Sequence, residues 1–159
     1  MKKIMIVMGS DSDWSVMKVA KEILSELDIP NEARVVSAHR SPELLEPFCI
    51  ECENENIGAI IAGAGGAAHL PGMLASYTYL PVIGVPVKSS YLDGLDSLYS
   101  IVQMPKGVPV ATVGINNATN AALLAARILT VEDDSLIMKL KEFRERQKNE
   151  SLLKSQNLV

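Results

Sequence analysis

Short apolar segments alternate with amphipathic segments along the chain, and this alternation restricts the fold more than any other feature of the sequence. Apolar runs occupy residues 4–8, 33–36, 57–62, 82–85 and 110–113. Each run has the length of a buried strand, and after each one apolar side chains return at helical spacing. Five strands that alternate with helices predict a parallel sheet with helices on both faces.

The size of the chain fits one such sheet. It has 159 residues, of which 48% are hydrophobic, and a chain of this length forms a single domain with a sizeable core. We therefore predict one α/β domain over residues 1–159, a three-layer αβα structure with a flavodoxin-like parallel sheet of strand order 2-1-3-4-5. Leu136, Leu140 and Phe143 lie at helical spacing and predict a C-terminal helix, with the helix and tail starting near residue 133.

The charge of the chain argues against two classes of partner. Its formal net charge is −4, which disfavours broad electrostatic binding to nucleic acid or to anionic lipid. No apolar run approaches the ~20 residues that a membrane-spanning helix needs. We therefore expect a cytoplasmic protein with neither a nucleic-acid partner nor a membrane partner.

The two cysteines form a Cys-x-x-Cys pair, Cys49 and Cys52. A redox pair of this kind lies at the start of a helix, whereas the spacing of Leu44, Leu45 and Phe48 places these cysteines inside one. A structural zinc site needs four ligands, and the sequence offers no second pair. We predict two buried free thiols.

Ligands of doubly wound sheets bind outside the carboxyl ends of the strands, near the point where the strand order reverses. With the order 2-1-3, the loops that follow strands 1, 2 and 3 are neighbours. These loops are the most unusual segments of the chain, and both of its histidines lie in them. They read Gly-Ser-Asp-Ser-Asp at 9–13, Ser-Ala-His-Arg-Ser at 37–41 and Gly-Ala-Gly-Gly-Ala-Ala-His at 63–69.

The first of these loops leads from a strand into a helix N-terminus, where free N–H groups and the helix dipole favour an anion. The hydroxyls of Ser10 and Ser12 add donors for a phosphate. A simpler interpretation is that Ser12 or Asp13 only caps the helix. Asp11 and Asp13 also resemble a metal-binding pair, but the neighbouring loops contribute no further carboxylate, so we expect no metal.

The second and third loops add a cation, an acid/base group and bare backbone. Arg40 suits a phosphate or a carboxylate, although a salt bridge to Glu43 would also explain it, and His39 can exchange protons near neutral pH. Gly65 and Gly66 allow a ligand to approach the main chain, or simply form a tight turn. The loop is neither a P-loop nor a dinucleotide-binding fingerprint. The residues alone thus indicate a small phosphorylated ligand and a histidine acid/base, without identifying the reaction.

Longer motifs around these loops carry a family resemblance. They lie at residues 9–14, 37–40, 63–73, 81–86, 96–105 and 120–125. At these motifs the chain resembles the N5-carboxyaminoimidazole ribonucleotide mutases of purine biosynthesis, in their bacterial and plant class, and the resemblance extends to about residue 129. Two positions depart from the pattern: Asn117, where glycine is expected, and Pro47 inside the second helix.

The resemblance implies a cofactor-free migration of a carboxyl group from N5 to C4 of an imidazole ribonucleotide, catalysed by a homo-octamer. His39 would be the general acid/base and Asp13 would hold the ribose hydroxyls. Gly65, Gly66 and His69 would line the carboxylate pocket. The phosphate would be held by Ser10, Ser12, Ser37 and Arg40.

Three other functions remain open at this point. A sister carboxylase uses free CO2 and aminoimidazole ribonucleotide on the same fold, although residues 103–107 resemble the mutase class. A non-catalytic nucleotide-binding module would not need His39. A flavodoxin-type electron carrier is poorly served by a chain with 4% aromatic residues, since flavin is usually stacked on aromatic rings.

Two segments outside the strands are candidates for subunit contacts. Residues 70–80 and 102–110 are rich in Pro, Met and Leu, and exposed apolar patches of this kind mark interfaces. The apolar positions of the last helix are also predicted to pack against a neighbouring subunit.

Overall fold

Five parallel strands form one sheet in the computed structural model, which describes residues 1–156 and residue 158. The strands are β1 (Lys3–Met8), β2 (Asn31–Val35), β3 (Ile57–Gly65), β4 (Val82–Val87) and β5 (Ala111–Thr112). Their order across the sheet is β2-β1-β3-β4-β5, and every pairing is parallel. The predicted order 2-1-3-4-5 is confirmed.

Six α-helices connect and cover the strands in the described part of the chain. Two short 3-10 turns, Asp11–Asp13 and Pro42–Leu44, precede the first two helices. The helices are α1 (Trp14–Glu26), α2 (Leu45–Asn54), α3 (Leu70–Tyr77), α4 (Leu95–Val102), α5 (Ala118–Leu129) and α6 (Ser135–Gln156).

The two faces of the sheet carry separate apolar cores, because side chains alternate between the faces along each strand. In β1, Ile4 and Ile6 join the core under α1 and α5, whereas Met5 and Val7 join the core under α2 and α3. Both faces are therefore covered by helices, and the predicted three-layer arrangement is confirmed.

The third strand is longer than the apolar run predicted, and it takes up the start of the glycine motif. Gly63 pairs with Val85 and Gly65 with Val87, so the strand runs three residues beyond the predicted end at 62. Gly63 packs against Met17, and a Cβ there would overlap the methionine sulfur and force that buried side chain to move. The fifth strand is shorter than predicted, at two residues.

Pro47 is accommodated in the first turn of α2, where no N–H is needed for the helix ladder. The helix itself begins only at Leu45, after the 3-10 turn that starts with Pro42. The start of α2 is thus delayed, and Ser41 precedes the turn without a side-chain cap.

The last helix packs on its own chain. Leu136 is completely buried and Phe143 is 7% exposed. Leu136 and the partly buried Leu140 belong to the core shared with α1 and α5. Lys139 Nζ donates to the Leu27 carbonyl at 3.0 Å and tethers α6 to the end of α1. The prediction that these apolar side chains pack on a neighbour is therefore wrong, because the fold of one chain already covers them.

Cys49 and Cys52 are buried inside α2 and form no disulfide. Burial raises the pKa of the Cys49 thiol to about 11 and that of the Cys52 thiol to about 12. The predicted free thiols are confirmed. Within the described ranges, no helix has the length and apolarity required to cross a membrane.

Candidate active site

A cavity of about 1120 Å³ opens at the carboxyl ends of β1, β2, β3 and β4. It is formed by the loops after these strands, as expected for a sheet whose order reverses between β1 and β3. All nine residues predicted from the sequence line it. They are Ser10, Ser12, Asp13, Ser37, His39, Arg40, Gly65, Gly66 and His69.

The loop after β1 is shaped by Ser10. Its hydroxyl accepts the N–H of Ser12 at 3.3 Å and so caps the 3-10 turn that leads into α1. The capping role proposed for Ser12 or Asp13 thus belongs to Ser10, and the Asp13 side chain makes no capping hydrogen bond. Ser12 is exposed and lines the cavity.

Arg40 joins the first two loops. Its Nη2 donates to the Gly9 carbonyl at 2.9 Å and its Nε to the Ser37 hydroxyl at 3.2 Å. In the described residues it forms no ion pair with Glu43, so the salt-bridge alternative is wrong. A guanidinium held beside the serines of the first loop creates a place for an anion.

Asp13 faces this cationic group from the start of α1. Burial raises the pKa of its carboxyl above the ordinary value, although the Ser12 hydrogen bond and the charge of Arg40 oppose the shift. Asp11 and Asp13 gain no third ligand, because the described residues contain no group of three His, Cys, Asp or Glu side chains placed to hold a metal.

The two histidines contact each other. His39 Nε2 lies 2.7 Å from His69 Nδ1, and the rings meet edge to face with their centroids 4.9 Å apart. At this distance one nitrogen donates and the other accepts, so a single proton lies between the rings. His39 comes from the loop after β2 and His69 from the residue before α3.

Gly65 and Gly66 precede His69 in the same loop, and a different constraint favours glycine at each position. At Gly65 the main chain approaches β4, because an added Cβ would lie 3.3 Å from the Val87 carbonyl. At Gly66 the space is open, but the φ of +66° is a left-handed conformation that favours glycine. The Gly66 N–H donates to the hydroxyl of Ser97 at 2.9 Å.

The segment between β4 and α4 forms a fourth wall of the cavity, which the sequence pattern does not indicate. It contains no histidine and no glycine pair, although the loop after strand 4 must reach the same edge of the sheet. Asp96 accepts the Ser89 hydroxyl at 2.9 Å and holds this segment in place. The lining residues in this wall are Val87, Lys88, Ser89, Ser90, Tyr91 and Asp96.

The asparagine pair before α5 supports this fourth wall. Asn116 has a φ of +57°, and its side-chain oxygen accepts the Lys88 N–H at 2.8 Å. Asn117, the departure from the family pattern, accepts the Asn120 N–H at 3.0 Å and caps α5. A glycine would lack this cap, so the departure strengthens the start of a helix and leaves the cavity intact.

Comparisons with known proteins identify a family that matches almost the whole chain. The family model described as AIR carboxylase matches residues 3–150. The chain is 60% identical to the N5-carboxyaminoimidazole ribonucleotide mutase of Thermotoga maritima, covering 99% of this chain and 92% of that protein. It is 58% identical to the phosphoribosylaminoimidazole carboxylase of Saccharomyces cerevisiae, covering 96% of this chain but 27% of that longer protein.

The fold is also found in a solved structure. The crystal structure of Treponema denticola PurE superposes with a TM-score of 0.90 and 28% sequence identity, and the match covers 99% of both chains. The sequence motifs, the sheet order and these matches agree over almost the whole length. The chain belongs to the AIR carboxylase family.

Proposed function

We propose that the protein is an N5-carboxyaminoimidazole ribonucleotide mutase. It moves the carboxyl group from N5 to C4 of the imidazole and so forms 4-carboxy-5-aminoimidazole ribonucleotide in de novo purine (IMP) biosynthesis. The observation that carries this proposal is the placement of the His39–His69 pair in the same cavity as Arg40 and the serines of the first loop. The 60% identity to a mutase of nearly the same length supports it.

The anion site orients the substrate in this proposal. Ser10, Ser12, Ser37 and Arg40 hold the phosphate, and the hydrogen bonds from Arg40 to Gly9 and Ser37 fix the guanidinium before the ligand arrives. Asp13, at the start of α1 beside this site, accepts the ribose hydroxyls. The ring then extends along the cavity toward His39.

The proposed reaction has two proton transfers, and His39 carries out both. His39 donates a proton to the carbamate nitrogen, the N–C bond breaks, and CO2 and the 5-amino group are formed. C4 of the electron-rich ring then attacks the carbon of CO2. His39, now neutral, removes the C4 proton and restores the aromatic ring, so that it ends in its original state.

Confinement of CO2 makes the second step fast. A trapped fragment beside the ring reacts at a high effective molarity. Gly65, Gly66 and His69 line the carboxylate pocket, where the bare backbone leaves room above the turn. The hydrogen bond between the rings couples the protonation of His39 Nε2 to that of His69 Nδ1.

The sister reaction is the second candidate. Relatives named phosphoribosylaminoimidazole carboxylase are 54–58% identical to this chain, although the chain spans about a quarter of their length. In that reaction the same cavity would take aminoimidazole ribonucleotide and free CO2, without an N5-carboxyl group.

The proposed assembly is a homo-octamer of single catalytic domains that span residues 1–159. Residues 70–74 contribute Leu70 and Leu74 to the chain's own core, so that part of the first predicted contact segment is already covered. Instead, an apolar face of α4 is exposed, and such a face favours contact with another subunit. Its side chains are Leu95, Tyr99 and Val102, and Leu92 is exposed shortly before the helix.

The test of the proposed function is a comparison of two substrates. We expect the purified protein to convert N5-carboxyaminoimidazole ribonucleotide directly, without added nucleotide or bicarbonate. The variant His39→Asn, with a side chain that can bond but not exchange protons, should bind product normally and lose about 10²-fold or more in kcat. Near-normal turnover by this variant would remove His39 from the mechanism, and conversion of aminoimidazole ribonucleotide with CO2 alone would favour the sister reaction.

A further inference from the structure

Ser97, on the first turn of α4, carries a polar side chain that the proposed mechanism does not use. Its exposed fraction is 0%, and among the described residues the other buried polar residue, Thr78, retains some exposure at 8%. A buried hydroxyl is costly unless its hydrogen bonds are satisfied. Ser97 satisfies both capacities, since its Oγ donates to the Val87 carbonyl at 2.7 Å and accepts the Gly66 N–H at 2.9 Å.

These bonds form a chain that ties the glycine turn to the neighbouring strand. Gly65 and Val87 are register partners in β3 and β4, so the Ser97 hydroxyl lies just beyond the last paired residues of the two strands. Gly66 follows immediately, with its φ of +66°. Ser97 therefore holds the first residue of the turn after the sheet has ended.

The chain of hydrogen bonds also fixes which part of Gly66 is available to a ligand. Its N–H points inward to Ser97, whereas the position of a missing Cβ has no atom within 4 Å. The space above the Gly66 Cα is therefore open to the cavity, whereas the Gly66 N–H is already hydrogen-bonded within the protein. The neighbouring Asp96 lines the cavity. Of these two adjacent residues of α4, Asp96 thus forms part of the fourth wall and Ser97 holds the glycine turn.

We propose that Ser97 is a positioning residue for carboxyl transfer, acting through Gly66 to keep the carboxylate pocket open beside His69. The proposal rests on the proposed function. Ser97 does not touch the substrate, and the phosphate site lies on other loops. Loss of the hydroxyl should therefore affect the transfer step more than the binding of the ribonucleotide.

The physical expectation follows from the freedom of glycine. Without the Ser97 hydroxyl, the Gly66 N–H loses its partner, and a glycine can move to other φ values at little steric cost. A displaced turn changes the space in which CO2 is held, and a displacement of about 1 Å can lower a rate about 10²-fold. We expect Ser97→Ala to lower kcat about 10-fold or more and to change KM by less than about 3-fold.

The matched control is Ser100→Ala. Ser100 lies on the same helix, and its hydroxyl donates to the Asp96 carbonyl at 2.7 Å, an equally short bond within the helix. This variant should keep the wild-type kcat and KM. If Ser97→Ala and Ser100→Ala have the same kinetic constants per folded molecule, Ser97 has only a structural role and the proposal is overturned.

Amide hydrogen exchange tests the hydrogen bond between Gly66 and Ser97 without any substrate. We expect the Gly66 amide to be protected in the wild type and in Ser100→Ala, and to exchange at least 10-fold faster in Ser97→Ala. Unchanged exchange at Gly66 would overturn the proposal. If the wild type turns over neither imidazole substrate, the proposed function fails, whereas the exchange measurement still decides whether Ser97 holds the turn.

A second variant covers the case in which Ser97→Ala does not fold. Gly66→Ala leaves the core of α4 untouched and meets no steric contact, but alanine disfavours a φ of +66°. We expect the same pattern, a lowered kcat with little change in KM. A Gly66→Ala protein with wild-type kcat would show that the turn conformation does not matter for the reaction and would overturn the proposal.

Discussion

His39 and His69 share a hydrogen bond of 2.7 Å, so the loss or gain of a proton by one ring changes the hydrogen bonding of the other. The sequence placed both histidines in adjacent loops, because parallel strands end at one edge of the sheet. It did not place them in contact, since that depends on side-chain directions that no spacing encodes. Ser97 was not predicted for a related reason: a serine near a helix start resembles a solvated residue until the fold buries it.

Asp13 provides a prediction about pH at this scale. Burial raises the pKa of its carboxyl in the folded protein, so the ionised form opposes folding above the unfolded value, and stability falls as pH rises through this interval. Asp13→Asn should therefore raise the melting temperature at pH 7 and weaken binding of the ribonucleotide. The gain should disappear below the ordinary pKa of aspartate, about 3.9. A melting temperature that falls at pH 7 would contradict this account of the buried carboxyl.

At the scale of the elements, the sequence predicted the existence and type of each strand and helix better than their ends. β3 extends through Gly63–Gly65 because its partner β4 continues to Val87, a pairing that the apolar run alone does not show. β5 is short because it pairs only with Ile83 and Gly84 of β4. The ends of elements are decided by tertiary contacts, whereas their periodicity is local.

The thiols of α2 give a prediction for this scale. Burial holds both Cys49 and Cys52 in the neutral form well above neutral pH, with pKa values of about 11 and about 12, and the thiolate is the reactive species. We expect neither cysteine to react with a thiol reagent at pH 8 in the native protein, and both to react after unfolding in guanidinium. Rapid labelling of the native protein would show that α2 opens or that the thiols are accessible.

For the whole molecule, the order of the sheet and the two-sided core followed from the five-fold alternation, whereas the role of α6 did not. The sequence showed three apolar positions on a polar helix but not what covers them. The structure buries Leu136 and Phe143 on the same chain and leaves the side chains from Arg144 to Lys154 exposed. The exposed apolar side chains of α4 are one apolar surface that is available for assembly.

Removal of residues 145–159 tests this division of α6. The truncation keeps the buried positions and loses the exposed pair of Arg146 and Glu26, which contributes about 1 kcal/mol or less. Leu136→Ala, in contrast, should lower the free energy of unfolding by about 2–5 kcal/mol. We expect the truncated protein to stay folded and, because the proposed subunit contact lies on α4, to keep the oligomer distribution of the wild type in light scattering. A truncation as destabilising as Leu136→Ala would contradict the assignment, and an active wild-type monomer would contradict the octamer.

In the proposed mechanism the carboxyl group moves within one cavity, and an isotope measurement distinguishes this route from exchange with CO2 in solution. N5-carboxyaminoimidazole ribonucleotide carrying a ¹³C carboxyl is incubated with the protein in excess unlabelled bicarbonate, and the product is analysed by mass spectrometry. Because the proposed mechanism releases CO2 beside C4 in the same cavity, we predict that the C4 carboxyl of the product retains the label. A product whose carboxyl comes mainly from the unlabelled pool would contradict the account.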